Sequence, residues 1–265
     1  MTEYDAIIIG SGPNGFAAAI TLQEQGLKTL LMEGAETIGG GMRTKALTLP
    51  GFQHDICSAI HPMALASPFF ARLPLADFGL RFTYAPIELA HPLDNGTTAF
   101  MYRDVEQTAQ GLGVDGTRYR EVVSPVVDHW SSLATALLGP LRMPKNPLLM
   151  ARFGLRALRS AQSVSKSFKT EPAKALWGGL AAHGIQPLEN LTTAAVGMML
   201  AGTGHCFGWP IPIGGSQAIA AALQGYYLSL GGNVQTGSWL TNLADLPTHK
   251  ILIADLTPKQ LLAIE

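Results

Sequence analysis

The segment Gly10-Ser11-Gly12-Pro13-Asn14-Gly15 constrains this chain more than any other. It follows the apolar run YDAIII at 4–9, which reads as a buried strand, and it opens a helical pattern from 13 to 25. A second strand pattern, KTLLM at 28–32, then ends in the acid Glu33. Strand, glycine turn, helix, strand and acid in this order make an α/β unit with a dinucleotide site at the turn. Gly10 allows the sharp exit from the strand, Gly12 lets a pyrophosphate approach the backbone, and Gly15 lets the helix pack close to the sheet. The helix start aims free N–H groups and a positive dipole end at the phosphates. Pro13 suits an early helical position whose N–H has no intrahelical partner. Asn14, in the same first turn, joins it as a candidate binding residue. Glu33 is placed to accept from ribose hydroxyls, and its charge disfavours a 2′-phosphate.

Composition narrows the rest. Of 265 residues, 47% are hydrophobic and 14% charged, against a usual charged share of about 25%. The formal net charge of −1 implies no general attraction to nucleic acid. Low charge leaves much apolar surface to cover, by a deep core, a lipophilic channel, a membrane face or a partner segment. Cys57 and Cys206 form no disulfide framework and no close redox pair, and buried free thiols are expected. The acidic start running straight into a strand does not resemble a secretory signal. Those features together suggest a cytoplasmic setting. No apolar run reaches the roughly twenty residues needed to span a bilayer.

After Glu33 comes TIGGGMRT at 37–44. Gly40 and Gly41 permit unusual backbone angles, and Arg43 is a fixed cation beside them. A plain glycine loop with a solvated arginine would look the same. Following a dinucleotide turn, a second phosphate contact is the expectation. Then LTLPGFQHDICSAIHP at 47–62, WPIPIGGSQAI at 209–219 and ADLTPKQLL at 254–262 resemble the phytoene desaturase-like branch of the flavin amine oxidase superfamily. The resemblance covers both ends of the chain and is weaker between them. It implies an FAD cofactor in a Rossmann-like domain and a partly helical α+β substrate domain inserted into it. The expected domains are 1–65 for the first part of the FAD-binding domain, 66–211 for the substrate domain, and 212–265 for the return. It also implies relatives about twice this length, so the chain reads as an N-terminal portion that a C-terminal half would complete. Gly214 and Gly215 match the segment that re-enters the flavin domain, and are expected to lie near the ring.

Between these landmarks, 66–110 reads as strands and turns, with Asp104 as the cap of a helix beginning at Val105. From 119 to 177 the pattern is helical, with breaks at Gly139-Pro140 and Pro144. From 142 to 169 the chain carries Arg142, Lys145, Arg152, Arg156, Arg159, Lys166 and Lys169 and no acid. Arg152, Arg156 and Arg159 share a predicted helix face, which suits either a solvated helix or peripheral contact with an anionic membrane. No charged residue occurs between Glu189 and Asp245. Repeated Gly and Pro from 202 to 215 are expected to break this stretch, which is either ordinary core or the wall of an apolar cavity. A helix over 218–230 and strands at 233–236, 239–243 and 250–254 would follow.

No acid–base pair or metal-ligand spacing stands out, and no metal is expected. A flavin would carry the hard step, because its N5 accepts a hydride. His54 and His205 are the candidates for contact with substrate or flavin, although packed histidines are commoner than catalytic ones. The leading expectation is an FAD-dependent oxidoreductase of the phytoene dehydrogenase type, acting on an apolar polyene or lipid-like substrate. The alternatives are an amine oxidase-like flavoenzyme and a non-catalytic dinucleotide-binding fragment.

Overall fold

A computed structural model describes residues 3–264. The chain forms two compact units. The first comprises residues up to Ile60, Leu73–Thr83, and those from Ile211 on; the second comprises His61–Arg72 and Tyr84–Pro210.

The first unit is α/β and is built on four parallel strands in the order His249–Ala254, β1 (Tyr4–Ile9), β2 (Thr29–Met32) and Asn233–Gln235. β1 is central, with Ile7 opposite Leu30 on one side and Leu252 on the other. Both faces of β1 are covered, which is why its end is an unbroken isoleucine run and not an alternating pattern. Ile7, Ile9, Leu30 and Met32 pack against Leu240, Leu246, Leu252 and Leu256. Ala6 and Ile8 point to the opposite face, where α1 (Pro13–Glu24) packs on the sheet and on the helix Gln217–Ser229. Phe16 of α1 meets Tyr227 edge-on, with ring centroids 6.4 Å apart.

The chain passes through this unit once more than the expected boundaries at 65 and 211 allow. Phe82–Thr83 pairs antiparallel with Ile211–Pro212, and Phe78 packs against Tyr226 with centroids 5.6 Å apart, which holds 73–83 here. No strand forms over 239–243. That segment is a loop entering a 3-10 turn, Leu243–Asp245, whose start is capped by the Asn242 side chain.

The second unit is mainly helical. Its central helix, Thr193–Phe207, runs unbroken through Gly202 and Gly204, contrary to the expected break. A Cβ on Gly202 would lie 2.4 Å from a Val126 methyl, and one on Gly197 would lie 3.1 Å from the Trp177 ring. Close packing on neighbouring helices therefore offsets the roughly 1 kcal/mol that each interior glycine costs. Asp104 caps Val105–Gly111 by accepting from the Gln107 N–H at 2.6 Å. Asp115, 1% exposed, accepts from the N–H groups of Lys169 and Thr170, both at 2.8 Å, and from the Thr170 hydroxyl. It thereby ties the start of Gly116–Asp128 to the start of Glu171–Ala182. The basic helix spans Pro147–Ala157, so Arg159 lies beyond its end and shares no helix face with Arg152 and Arg156.

Candidate dinucleotide site

Three parallel strands deliver their carboxyl ends to one place. Ile9 ends β1, Glu33 follows β2, and Asp255 follows the strand His249–Ala254. β1 has a parallel neighbour on each side, so the sheet's switch point lies at its carboxyl end, where open α/β sheets bind ligands. A cavity of about 440 Å³ opens there, within the range of small-molecule sites. The turn lines it through Gly10, Ser11 and Gly12, the end of β2 through Glu33, Gly34 and Ala35, and the glycine loop through Gly40 and Arg43. Residues 238–241 and Asp255 complete much of the wall.

The glycines are required by space. Gly10 has φ +101°, and a Cβ there would lie 2.4 Å from the Asp255 carbonyl oxygen. A Cβ on Gly15 would lie 1.9 Å from the Gly10 carbonyl oxygen. Gly40, at φ +55°, sets its loop against Gly12, whose Cα would be 3.1 Å from any added Cβ. The result is a backbone-lined cradle at the start of α1, where no side chain of the N-cap Gly12 intervenes. The Asp255 carboxylate accepts from the Gly15 N–H at 2.8 Å, so one first-turn donor is held by a residue 240 positions away.

Glu33 is nearly enclosed. One carboxylate oxygen accepts from the N–H and hydroxyl of Ser11; the other accepts from the Ala35 N–H at 2.9 Å and pairs with Arg43 Nη2 at 3.0 Å. Burial pushes this carboxyl up, but the Ser11 and Ala35 donors and the Arg43 charge outweigh it and hold the group below its ordinary value. Arg43 is oriented by its Nε donating to the Thr37 carbonyl at 3.0 Å. The pair leaves the glutamate's charge balanced beside the cradle.

The other expected site residues lie apart from this cavity. Pro13, Asn14 and Gly15 begin α1 and do not line the cavity. Gly41 faces the Cys57 side chain. Gly214 and Gly215, at φ +89° and +87°, form the turn before Gln217–Ser229 and do not line the cavity. A Cβ on Gly215 would strike Thr44, whose hydroxyl donates to Asp55 and accepts from the Gln217 N–H. Asp55 also accepts from the Ser216 N–H at 2.8 Å, so Thr44 and Asp55 together cap that helix. His54 sits on the hairpin Thr44–Ala46/Gln53–Asp55 and bonds the Thr48 hydroxyl at 2.8 Å.

His205 belongs to the core of the second unit, 6% exposed. Its Nδ1 lies 2.9 Å from the Arg103 carbonyl, which can only accept, so Nδ1 carries the proton and Nε2 accepts from the Tyr119 hydroxyl at 2.7 Å. Burial lowers the His205 pKa and raises that of Tyr119, which favours this neutral pair. Cys57 is an exposed free thiol and Cys206 a half-buried one. Among the described residues, no group of three or more His, Cys, Asp or Glu side chains is placed to hold a metal ion.

Sequence reasoning missed Trp239 and did not give Asp255 a role. Trp239 is 73% exposed, and its indole lies against Gly34, where an added Cβ would come within 2.8 Å of the ring. Only glycine at 34 lets the ring close that side of the cavity.

The parallel sheet, the glycine cradle and the acid after β2 define a Rossmann-like dinucleotide-binding fold. Residues 8–73 match the family model of the NAD(P)-binding Rossmann-like domain. Pyridine nucleotide-disulfide oxidoreductase domain-containing protein 2 of Rattus norvegicus is 35% identical over 97 residues, which is 36% of this chain and 16% of that protein. Among solved structures, a putrescine oxidase variant superposes with a TM-score of 0.60 at 20% identity, covering 99% of this chain and 60% of that one. A CLA-producing fatty acid isomerase from P. acnes superposes with a TM-score of 0.57 at 16% identity, covering 98% and 60%. This chain thus spans less than two thirds of each of these proteins.

Proposed function

We propose that the cavity holds the ADP half of FAD, and that the chain is part of an FAD-dependent oxidoreductase of the phytoene desaturase-like branch. The observation that carries this reading is the cradle: Gly10, Gly12 and Gly40 line the cavity beside the start of α1 with backbone that carries no side chain, as a pyrophosphate site requires. When bound, the flavin supplies an acceptor for a hydride. The chain's own residues bind and orient it. The Gly12 N–H and the positive end of the α1 dipole would face the phosphates, while the Gly15 N–H stays with Asp255. All four acceptor positions of Glu33 are in use, so the ribose hydroxyls would take the place of Arg43 on one oxygen and release the guanidinium toward phosphate. Trp239 would close the adenine side with its ring face.

An apolar substrate, polyene or lipid-like, is supported by the resemblance at 47–62, 209–219 and 254–262 and by the uncharged stretch from 190 to 244. Amine oxidation is the second reading, favoured by the superposition on putrescine oxidase. The test begins with the visible spectrum of the purified chain and identification of any nucleotide released on denaturation. Released FAD supports the reading; a chain that takes up NAD but not FAD removes it. Trp130, Trp177 and Trp209 are buried, so iodide quenching reports on Trp239. Protection of that fluorescence by added FAD is expected, and Trp239→Ala should weaken binding about tenfold. Product analysis with polyenes and with amines separates the two substrate classes.

A further inference from the structure

The second unit carries a surface that dinucleotide binding does not use. Residues 142–169 hold seven basic side chains and no acid, and here large apolar side chains point outward. Leu141 is 104% exposed and Met143 85%. On the helix Pro147–Ala157, Phe153 and Ala157 face inward, while Leu148, Arg152 and Leu155 are exposed at spacings that share one outer face. A cavity of about 240 Å³ opens beside this helix. Its polar wall includes Ser131 and Ser132 from the helix Trp130–Leu137, together with Arg142 and Lys145, and Met143 lines it as well. Among the described residues, no carboxylate pairs with Arg142, Lys145 or Arg152.

We propose that this face binds an anionic lipid surface, with a lipid phosphate in the cavity and Leu141 and Met143 entering the headgroup–acyl boundary. The combination of groups selects this occupant. An apolar protein partner would bury the cations with no counter-charge, which is costly. Water would leave Leu141, Met143, Leu148 and Leu155 exposed without cover. A bilayer interface accepts both, because aliphatic side chains enter while arginine and lysine reach the phosphates. Hydroxyl donors beside two cations suit a phosphate, and the cavity holds a headgroup but not a whole lipid. No described helix is long and apolar enough to cross a membrane, and the contact proposed here is a peripheral one. The inference is independent of the cofactor.

The test is sedimentation of the full chain with phosphatidylcholine vesicles and with vesicles of equal parts phosphatidylcholine and phosphatidylglycerol. Binding to the mixed vesicles alone, declining as salt rises, is expected. Arg142→Gln with Lys145→Gln should weaken it roughly thirtyfold, from about 1 kcal/mol per cation. Leu141→Ser with Met143→Ser should weaken it about tenfold. Circular dichroism confirms that both variants fold, since all four side chains are at the surface. Calorimetry with inorganic phosphate separates a free anion from a headgroup. Phosphate binding without vesicle binding overturns the lipid assignment. So do equal binding to both vesicle types, binding to neither, or unaltered binding by the Arg142/Lys145 variant.

Discussion

Glu33 in the first unit and Asp115 in the second are both nearly buried carboxylates, each held ionised by donors on neighbouring segments. For both, burial pushes the carboxyl up and hydrogen bonds more than reverse it. Their surroundings differ. Asp115 is sealed between two helix starts with its donors supplied by Lys169 and Thr170. Glu33 lines a cavity together with the bare backbone of Gly10, Gly12 and Gly40, and one of its partners is an arginine that another anion could claim. A low-pKa buried carboxylate is therefore no mark of a site by itself. The adjoining empty space and an exchangeable partner make the difference.

The sharpest test of this contrast is at the glycines. Gly15→Ala places a methyl against the Gly10 carbonyl and should cost roughly 3–5 kcal/mol in urea unfolding. Gly154→Ala, in the open helix Pro147–Ala157 with nothing within 4 Å, should stabilise by about 0.5–1 kcal/mol. Similar costs at both would mean that the cradle is not tight. Asp115→Ala comes next, at roughly 2–4 kcal/mol of stability, with nucleotide affinity of the folded protein unchanged. Glu33→Gln should instead weaken dinucleotide binding about tenfold, read by Trp239 quenching. If the two variants shift affinity alike, the distinction between them fails.

Acid unfolding adds a second axis. Both carboxyls have lowered folded-state pKa values, so their contribution is intact above about pH 4.5 and is lost as pH falls through the lower folded values. Asp115→Asn and Glu33→Gln should each flatten the fall of stability below that point. The smallest effect concerns Asp255. Asparagine there can still accept from the Gly15 N–H but removes a negative charge beside the cradle, so Asp255→Asn should tighten dinucleotide binding about fivefold. Weaker binding would show that the carboxylate itself is needed.

What could be read from residues alone followed from distance along the chain. β1, the turn, α1, β2 and Glu33 lie within 33 positions, and each local preference agrees with the fold. Gly40 and Arg43 follow closely and line the same cavity. Trp239 carried no local signal, because its place depends on a loop whose pattern imitated a strand. Asp255 had a signal that went unused: like Glu33, it is an acid directly after an apolar strand. The central helix of the second unit was misjudged at Gly202 because glycine's intrinsic cost was weighed without the Val126 contact that repays it. His205 found its proton arrangement through Tyr119, 86 positions away, which no spacing rule reaches.

The bond from the Gly15 N–H to Asp255 also bears on how the chain comes to be folded. While the polypeptide is being synthesised, the glycine turn leaves the ribosome long before the strand that flanks β1 on its far side. Until His249–Ala254 arrives, β1 has an open edge, and an isoleucine-rich edge invites pairing with other chains. Closing a parallel contact over 240 positions is slow compared with forming the helices between. Nascent chains of this sequence should therefore depend on chaperones most during that interval, and a shortened form ending before His249–Ala254 should aggregate although it contains the whole glycine motif.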